Sequence, residues 1–125
     1  MIYGIGVDIV KTARIRTAVE RWGQRFLERV FTAEEISYSY KKNDPFLSLS
    51  VRFAAKEAFI KASPKGQTIS LTDIEISNQP DGRPLLHLRD RAKKALGHIN
   101  IDSIHVSLSH EKEYGIACVV IEGRQ

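Results

Sequence analysis

The stretch from Arg52 to Ala62 (RFAAKEAFIKA) constrains the fold most, because its pattern is that of a helix that is apolar over most of its circumference. At 100° per residue, one stripe carries large apolar side chains and a second carries mostly small ones. The first stripe comprises Phe46, Leu49, Phe53 and Ile60, and the second comprises Leu47, Val51, Ala54, Ala58 and Ala62. A helix with two apolar faces is expected to be central, with its neighbours packed closely against it.

Glu57 lies inside the stripe of large side chains, where a carboxylate has no packing role. Burial there costs on the order of several kcal/mol of hydration, unless a cation or hydrogen bonds compensate. One interpretation is an ion pair with Lys61, one turn further on, which would contribute only about 0.2–0.5 kcal/mol. The other interpretation is a functional carboxylate. The pattern of this helix by itself leaves both open.

Residues 2–10 alternate in the manner of a β-strand, with apolar side chains on one face. These side chains are Ile5, Val7 and Ile9. Asp8 lies on the opposite face together with Gly4 and Gly6, which predicts that another element approaches that face closely. The alternative is that Asp8 is an ordinary solvent-facing residue on an edge strand.

Start and stop signals divide the following segment into helices. Apolar spacing predicts a helix over residues 12–22, and the capping box Thr32-Ala-Glu-Glu35 predicts another over about residues 33–41. The pair Asp44-Pro45 suits the N-cap and first turn of the central helix, which Pro64 ends.

The remaining chain alternates between strand and turn signals, and a short helix is predicted over residues 90–96. The predicted strands cover residues 73–77, 85–88, 104–109 and 116–121. This order predicts an α+β fold, with a single domain over residues 1–125 and a mostly antiparallel sheet packed on the long central helix.

The chain has a formal net charge of +4, and residues 11–30 account for all of it, with six basic and two acidic residues. Arg14, Arg21 and Arg25 fall within about 40° of one another if the first helix continues past Gly23. One interpretation is a solvated basic face, and the other is a docking surface for an acidic protein or for phosphates. The basic residues are not interleaved with aromatic ones as in single-stranded nucleic-acid binders, so no nucleic-acid partner is expected.

The sequence gives no sign of a membrane or secretory protein. No apolar run approaches the length of a membrane span, and no signal-like segment precedes the first strand. Cys118 is the only cysteine, so no disulfide can form within the chain, and its apolar surroundings predict a buried thiol. These features favour the cytoplasm.

Asp8 and Glu57 are the two carboxylates that local patterning explains least. Each lies on a regular element, so each can be held rigidly. Two hard oxygen ligands without a neighbouring His or Cys suit Mg²⁺ better than zinc. Mg²⁺ is often held by one or two carboxylates, with water and substrate phosphates as its other ligands, and Lys61 suits phosphate binding.

Four motifs match a known family along nearly the full chain. They are Ile5-Gly-Val-Asp-Ile9, Arg52-Phe-Ala-Ala-Lys-Glu-Ala-Phe59 followed by Lys61, Gly82-Arg-Pro84, and Val106-Ser-Leu-Ser-His110. In order and spacing they resemble the holo-[acyl-carrier-protein] synthase family, the small bacterial type of 4′-phosphopantetheinyl transferase. The GVD motif, followed about fifty residues later by FAAKEA and a lysine, is a specific joint signal.

The resemblance implies an enzyme that moves the phosphopantetheine arm of coenzyme A onto a serine of apo acyl carrier protein. Adenosine 3′,5′-bisphosphate is the implied second product, magnesium the implied cofactor, and fatty acid biosynthesis the implied pathway. Small members of the family are homotrimers with sites at subunit interfaces. A neighbouring subunit is therefore expected to cover part of the apolar central helix.

The resemblance also implies roles for individual residues. The implied catalytic residues are Asp8, Glu57 and Lys61, of which Asp8 and Glu57 match the magnesium ligands and Lys61 a lysine beside the diphosphate. The implied coenzyme A contacts are Lys61, Arg83, Pro84, His105, Ser107 and Ser109. The implied grip on the acidic carrier protein comes from Arg14, Arg21 and Arg25.

Two features depart from the family pattern. Family members often have a Gly-rich turn after the central helix, where this chain has Ala62-Ser-Pro-Lys-Gly66. Arg83 replaces the commoner lysine, which keeps the charge and changes its geometry. Without the resemblance, the carboxylates would also suit a magnesium-dependent phosphohydrolase or nuclease, and the arginines a non-enzymatic binding module for an acidic protein.

Overall fold

Residues 1–63, 68–97 and 99–124, which the computed structural model describes, contain five strands and five α-helices. In chain order these are β1 (Ile2–Lys11), α1 (Thr12–Trp22), α2 (Gln24–Val30), α3 (Ala33–Tyr40), α4 (Pro45–Ala62), β2 (Ile74–Asn78), β3 (Pro84–Leu88), α5 (Asp90–Ala95), β4 (Ile101–His110) and β5 (Tyr114–Gly123). Most boundaries lie within two residues of those predicted.

Capping chemistry begins α3 and α4 where the sequence predicts it. The Thr32 hydroxyl accepts a hydrogen bond from the Glu35 backbone N–H, and the Glu35 carboxylate accepts one from the Thr32 backbone N–H. At α4 the Asp44 carboxylate accepts from the first two free N–H groups, and Pro45 occupies the first turn. Local hydrogen bonding therefore determines both helix starts.

Two boundaries need comment. The helix α4 ends at Ala62, and the predicted stop at Pro64 and the loop after it lie outside the described residues. Residues Leu71–Asp73 form a short 3₁₀ helix, so β2 begins at Ile74 and not at Asp73.

The first helix does not continue past Gly23, so one expectation about the arginines is wrong. Gly23 has φ of 57°, which separates α1 from α2. Arg14 and Arg21 lie on α1, whereas Arg25 lies on α2. The angular relation calculated for one continuous helix therefore holds for the first two arginines only.

The strands form two antiparallel sheets, where the sequence predicted one. The larger has the order β1-β5-β4, so β1 and β4 are its edges, and the smaller is the β2–β3 hairpin. The α+β class and the antiparallel pairing are as predicted.

The central helix α4 packs across one face of the larger sheet. The small side chains of Ala54, Ala55 and Ala58 are fully buried there. The residues of β5 that are buried on this face are Gly115, Ala117, Val119 and Ile121. The prediction of a central, closely packed helix is confirmed.

The opposite face of the larger sheet is exposed, and we call it the outer sheet face. Its apolar residues are Ile5, Val7, Ile9, Ile116, Cys118 and Val120, which face one another across β1 and β5. Ile5, Val7 and Ile9 are 58–61% exposed, and Cys118 is half-buried where the sequence predicted a buried thiol. In β1 the apolar face thus points outward, and the face with Asp8 and the glycines packs on α4. A contiguous exposed apolar patch of this kind marks an interaction surface.

A buried ion pair ties the β2–β3 hairpin to the helices. Lys56 Nζ lies 2.7 Å from Glu35 Oε1, and neither side chain is exposed. Lys56 also donates to the carbonyls of Leu71 and Ile74, and Glu35 accepts from the Ile76 N–H. The two side chains thus satisfy one backbone group of the segment before β2 and two at the edge of β2.

Candidate active site

Asp8 of β1 meets Glu57 and Lys61 of α4 where the strand lies along the helix, and we call these three residues the carboxylate site. Lys61 Nζ lies 2.8 Å from Asp8 Oδ1 and donates a second hydrogen bond of 3.1 Å to the Val7 carbonyl. The Asp8 side chain is only 17% exposed. Asp8 is therefore not an ordinary solvent-facing residue, although β1 is an edge strand.

Glu57 is half-buried, and this burial is the main reason that the pKa of its carboxyl group is raised. The negative charge of Asp8 raises this pKa further, whereas the positive charges of Lys61 and Arg14 lower it. Asp8 and Glu57 thus repel each other, as two carboxylates placed to share a cation do. The alternative of a Glu57–Lys61 ion pair is wrong, because Lys61 pairs with Asp8.

The carboxylate site offers ligands that fit a magnesium ion. Both acidic groups supply hard oxygen atoms, and a cation between them would offset their repulsion. The Lys61 ammonium group already supplies such a charge at Asp8. No third His, Cys, Asp or Glu joins the pair in the described part of the chain, so water or phosphate would complete the coordination.

A second pocket, the basic pocket, lies between α4 and the β2–β3 hairpin. It has a volume of about 470 Å³, and its lining includes Tyr38, Lys42, Arg52, Asn78, Pro84 and His110. Arg52 and Glu57 are five positions apart, so they point about 140° away from each other around the helix axis. The basic pocket and the carboxylate site therefore lie on different sides of α4.

Arg52 is the residue of the basic pocket that sequence reasoning missed. It is 3% exposed, donates to the Ser48 carbonyl and the Asn78 amide oxygen, and lies 4.3 Å from the Tyr38 ring centroid. Burial lowers the pKa of its guanidinium group. Its Nε finds no hydrogen-bond partner among the described residues. The available signal was a charged residue inside an apolar helix, which is also the signal that identified Glu57.

Four other predicted coenzyme A contacts are not among the residues that line the basic pocket or form the carboxylate site. Arg83 is exposed and pairs with Asp81 at 2.9 Å. His105 bonds to Glu122 on the outward side of the larger sheet, which lowers the pKa of the Glu122 carboxyl group. Ser107 and Ser109 are exposed on that same side.

One chain does not bring His105 to the carboxylate site. Asp8 and His105 lie on opposite edge strands, about 10 Å apart across two strand spacings and a further three residues, or about 10 Å, apart along the strands. They also point to opposite faces of the sheet. His105 could contribute to a carboxylate site only in another copy of the chain.

The predicted docking arginines are all exposed and surround an exposed tryptophan. Trp22 is 58% exposed and lies between two shallow grooves, one lined by Arg14 and Arg21 and the other by Arg25. Arg14 is also close enough to Glu57 to lower the pKa of its carboxyl group. The basic surface therefore borders the carboxylate site.

Comparison with known proteins identifies the family of the chain. The sequence matches the 4′-phosphopantetheinyl transferase superfamily over residues 4–119. It is 46% identical over 121 residues to the holo-[acyl-carrier-protein] synthase of Thermodesulfovibrio yellowstonii, a match that covers 97% of this chain and 99% of that protein. The chain belongs to the holo-[acyl-carrier-protein] synthase family. It is therefore an enzyme of the phosphopantetheinyl transferase type.

Solved structures of holo-[acyl-carrier-protein] synthases share this fold. The enzyme of Neisseria meningitidis superposes with a TM-score of 0.89 at 37% identity, over 98% of this chain and 99% of that one. The enzyme of Helicobacter pylori, solved in complex with coenzyme A, has a TM-score of 0.82 at 37% identity, over 94% and 99%. The predicted fold is thereby confirmed.

Within the described ranges, no helix is long and apolar enough to cross a membrane.

Proposed function

We propose that this chain transfers 4′-phosphopantetheine from coenzyme A to a serine of an apo acyl carrier protein, in a magnesium-dependent reaction. The observation that carries the proposal is the meeting of Asp8, Glu57 and Lys61 in a chain of this family. The coenzyme A complex of the Helicobacter pylori relative supports the donor substrate. We also propose fatty acid biosynthesis as the pathway, the cytoplasm as the compartment, and residues 1–125 as one transferase domain.

The residues of the carboxylate site have different proposed roles. Asp8 and Glu57 would hold a magnesium ion, which offsets charge on the diphosphate of coenzyme A. Lys61 is 54% exposed and can turn from Asp8 towards a phosphate oxygen. The carrier serine oxygen forms a bond to the phosphorus that bears pantetheine, and the bond from this phosphorus to the adenosine bisphosphate oxygen breaks. The serine proton passes to water or to Glu57.

The basic pocket is the proposed site of the nucleotide part of coenzyme A. Arg52 and Lys42 supply positive charge for its 3′-phosphate, and the unpaired Nε of Arg52 offers a donor in a buried place. Pro84 brings the GRP turn to the rim of the same pocket.

We propose that the two pockets are joined across the interfaces of a homotrimer. They lie on different sides of α4, so the basic pocket of one subunit would face the carboxylate site of the next. The outer sheet face supplies apolar surface for such an interface. The remaining proposed contacts to coenzyme A would then reach a neighbour's site. They are Arg83, His105, Ser107 and Ser109.

The carrier protein is proposed to dock on the surface around Trp22. Arg14, Arg21 and Arg25 would attract an acidic partner, and Arg14 lies beside the carboxylate site. This location would bring the carrier serine close to the reacting phosphorus.

Mass spectrometry of an apo acyl carrier protein tests the proposed reaction. Incubation with this chain, coenzyme A and Mg²⁺ should add one phosphopantetheine to the carrier, and a chelator or Asp8→Asn should abolish the addition. Release of free phosphopantetheine, or cleavage of nucleic acid, without any carrier would favour a hydrolase. Full function in the Asp8→Asn variant would favour a binding module.

Mixing two inactive variants tests whether subunits share the site. Asp8→Asn removes a carboxylate, and Arg52→Ala removes the buried cation of the basic pocket. In randomly mixed trimers about a quarter of the interfaces would hold both intact residues, so about a quarter of the wild-type activity should return. Co-expressed Asp8→Asn and Glu57→Gln chains are the control, because both changes lie in the carboxylate site and should not complement. Failure of the first mixture would contradict a shared site.

A further inference from the structure

We propose that Gly6 sets the distance between the Asp8 and Glu57 carboxylates, and with it the size of the cation that they can share. Gly6 is a positioning residue: it touches neither substrate nor metal, and it acts through the spacing of β1 and α4. The inference rests on the proposed magnesium site and names the part of the chain that fits this site to a small ion.

The backbone of β1 lies directly on the backbone of α4 at Gly6. A Cβ atom there would stand 1.9 Å from the Ala58 carbonyl oxygen, whereas ordinary contacts begin at 3.4 Å. At Gly4 a Cβ atom would stand 1.8 Å from the Ala62 carbonyl oxygen. Because the opposing atoms are backbone atoms, no side-chain rotation relieves the clash. A side chain at Gly6 would push strand and helix apart by about 1.5 Å, the difference between the two distances.

The two glycine contacts have nearly the same spacing along the strand and along the helix. Two strand residues span about 6.6 Å and four helix residues about 6 Å, so Gly4 and Gly6 meet Ala62 and Ala58 in turn. Asp8 follows Gly6 on the same face of β1, and Glu57 precedes Ala58 in α4. Widening at Gly6 therefore separates the two carboxylates directly.

Magnesium and calcium respond differently to such a separation. Mg²⁺ requires oxygen ligands at about 2.0–2.1 Å in near-ideal octahedral geometry, whereas Ca²⁺ accepts about 2.3–2.6 Å in flexible geometry. Carboxylates moved apart by more than about 1 Å should therefore lose Mg²⁺ before they lose Ca²⁺. A residue that affected only the stability of the fold would weaken the binding of both ions by the same factor.

The affinities of the two ions can be measured by displacement of bound Mn²⁺, followed by electron paramagnetic resonance, in the purified full chain. Gly6→Ala is expected to weaken the binding of Mg²⁺ by at least about tenfold and the binding of Ca²⁺ by less than about threefold. Gly115→Ala is the matched control, because that glycine also packs on α4, with a Cβ atom 2.8 Å from the Val51 nitrogen. The control should lower the melting temperature without changing the ratio of the two affinities.

Lengthening Asp8 separates a positioning effect from general damage. In the Gly6→Ala background, Asp8→Glu should restore most of the Mg²⁺ affinity, because the longer side chain spans the widened gap. In the wild-type background, the same change should weaken Mg²⁺ binding. If Gly6→Ala does not fold, Gly4→Ala opens the same contact farther from Asp8 and should shift the ratio in the same direction by less.

The possible results separate this inference from the metal site itself. A wild-type ratio in Gly6→Ala, or in Gly4→Ala if only that variant folds, would overturn the inference and leave the magnesium site in place. So would the absence of rescue by Asp8→Glu. A wild-type chain that bound no Mn²⁺ would refute the proposed metal site, and this inference with it.

Discussion

Glu57 shows how the neighbours of a carboxyl group, and not only its residue type, set its pKa. Its helix buries it, Asp8 repels its charge, and Lys61 and Arg14 attract it. Burial is the largest of these effects on its pKa. The group is therefore expected to stay partly protonated at a pH where an exposed glutamate is fully ionised, unless a cation joins the site.

Glu57→Gln tests the role of this charge at nearly constant side-chain volume. Loss of a general base typically slows a reaction by about 10²–10⁴-fold, and loss of a metal ligand would add to this effect. We expect transfer to the carrier to fall by at least about 10²-fold in saturating Mg²⁺. The exposed Glu34→Gln on α3 is the control and should keep wild-type rates. Near-normal transfer by Glu57→Gln would refute its assignment.

The raised pKa of Glu57 also predicts a pH dependence of stability in the metal-free protein. Between the unfolded pKa of about 4.3 and the raised folded value, the folded state retains a proton that the unfolded state releases. Stability should therefore fall as the pH rises through this window. Urea unfolding from pH 4 to 7 should show the fall in wild type and a flatter curve in Glu57→Gln. Parallel curves for the two proteins would contradict the prediction.

At the scale of elements, one side of α4 holds the β2–β3 hairpin. Lys56, together with Glu35, satisfies backbone groups at the edge of β2, and Arg52 donates to Asn78 at its end. The hairpin in turn carries Pro84 to the basic pocket. The helix α4 thus carries residues of both pockets on different sides, and it also holds the hairpin that lines the basic pocket.

Lys56→Met tests this connection by removing the cation at similar length. Breaking a buried ion pair leaves Glu35 as an uncompensated charge and typically costs about 3–5 kcal/mol of unfolding free energy. Lys93→Met, on the exposed side of α5, is the control and should change this free energy by less than about 0.5 kcal/mol. Chemical denaturation measures both. A loss below about 1 kcal/mol in Lys56→Met would show that the hairpin does not depend on the pair.

Across the whole molecule, one face of the larger sheet exposes apolar side chains to solvent. Ile5, Val7 and Ile9 are each more than half exposed in the middle of the outer sheet face. The same strand carries Asp8 on its buried face. Covering one face of β1 would therefore support the face of the same strand that carries the proposed catalytic residue Asp8.

Ile5→Glu places a charge in the centre of the outer sheet face. We expect it to convert a homotrimer into monomers, measured by light scattering after size exclusion, and to abolish transfer because the two pockets separate. Tyr40→Glu is the control, since Tyr40 is also an exposed apolar residue, at 46%, but lies on α3. A trimeric Ile5→Glu protein, or an active monomeric one, would contradict the proposed assembly.

Features that depend on local chemistry were predictable from the sequence. The starts of α3 and α4 follow from side chains that cap nearby N–H groups, as at Thr32 and Asp44. Alternation in β1 assigned Asp8 and the glycines to one face, and the helical period identified Glu57 as a carboxylate in apolar surroundings. Each of these inferences needs only a few consecutive residues.

Which distant groups meet depends on long-range packing, and the sequence pattern did not predict it. Lys61 has Glu57 one turn away and yet pairs with Asp8, because the glycines of β1 bring that strand against α4. Arg52 gained its pocket from a hairpin more than twenty residues later in the chain. The β1 face that packs inward, and the break at Gly23, likewise result from the balance of contacts across the fold. The periodicity of the sequence carries no information on that balance, because it does not show which element each face will contact.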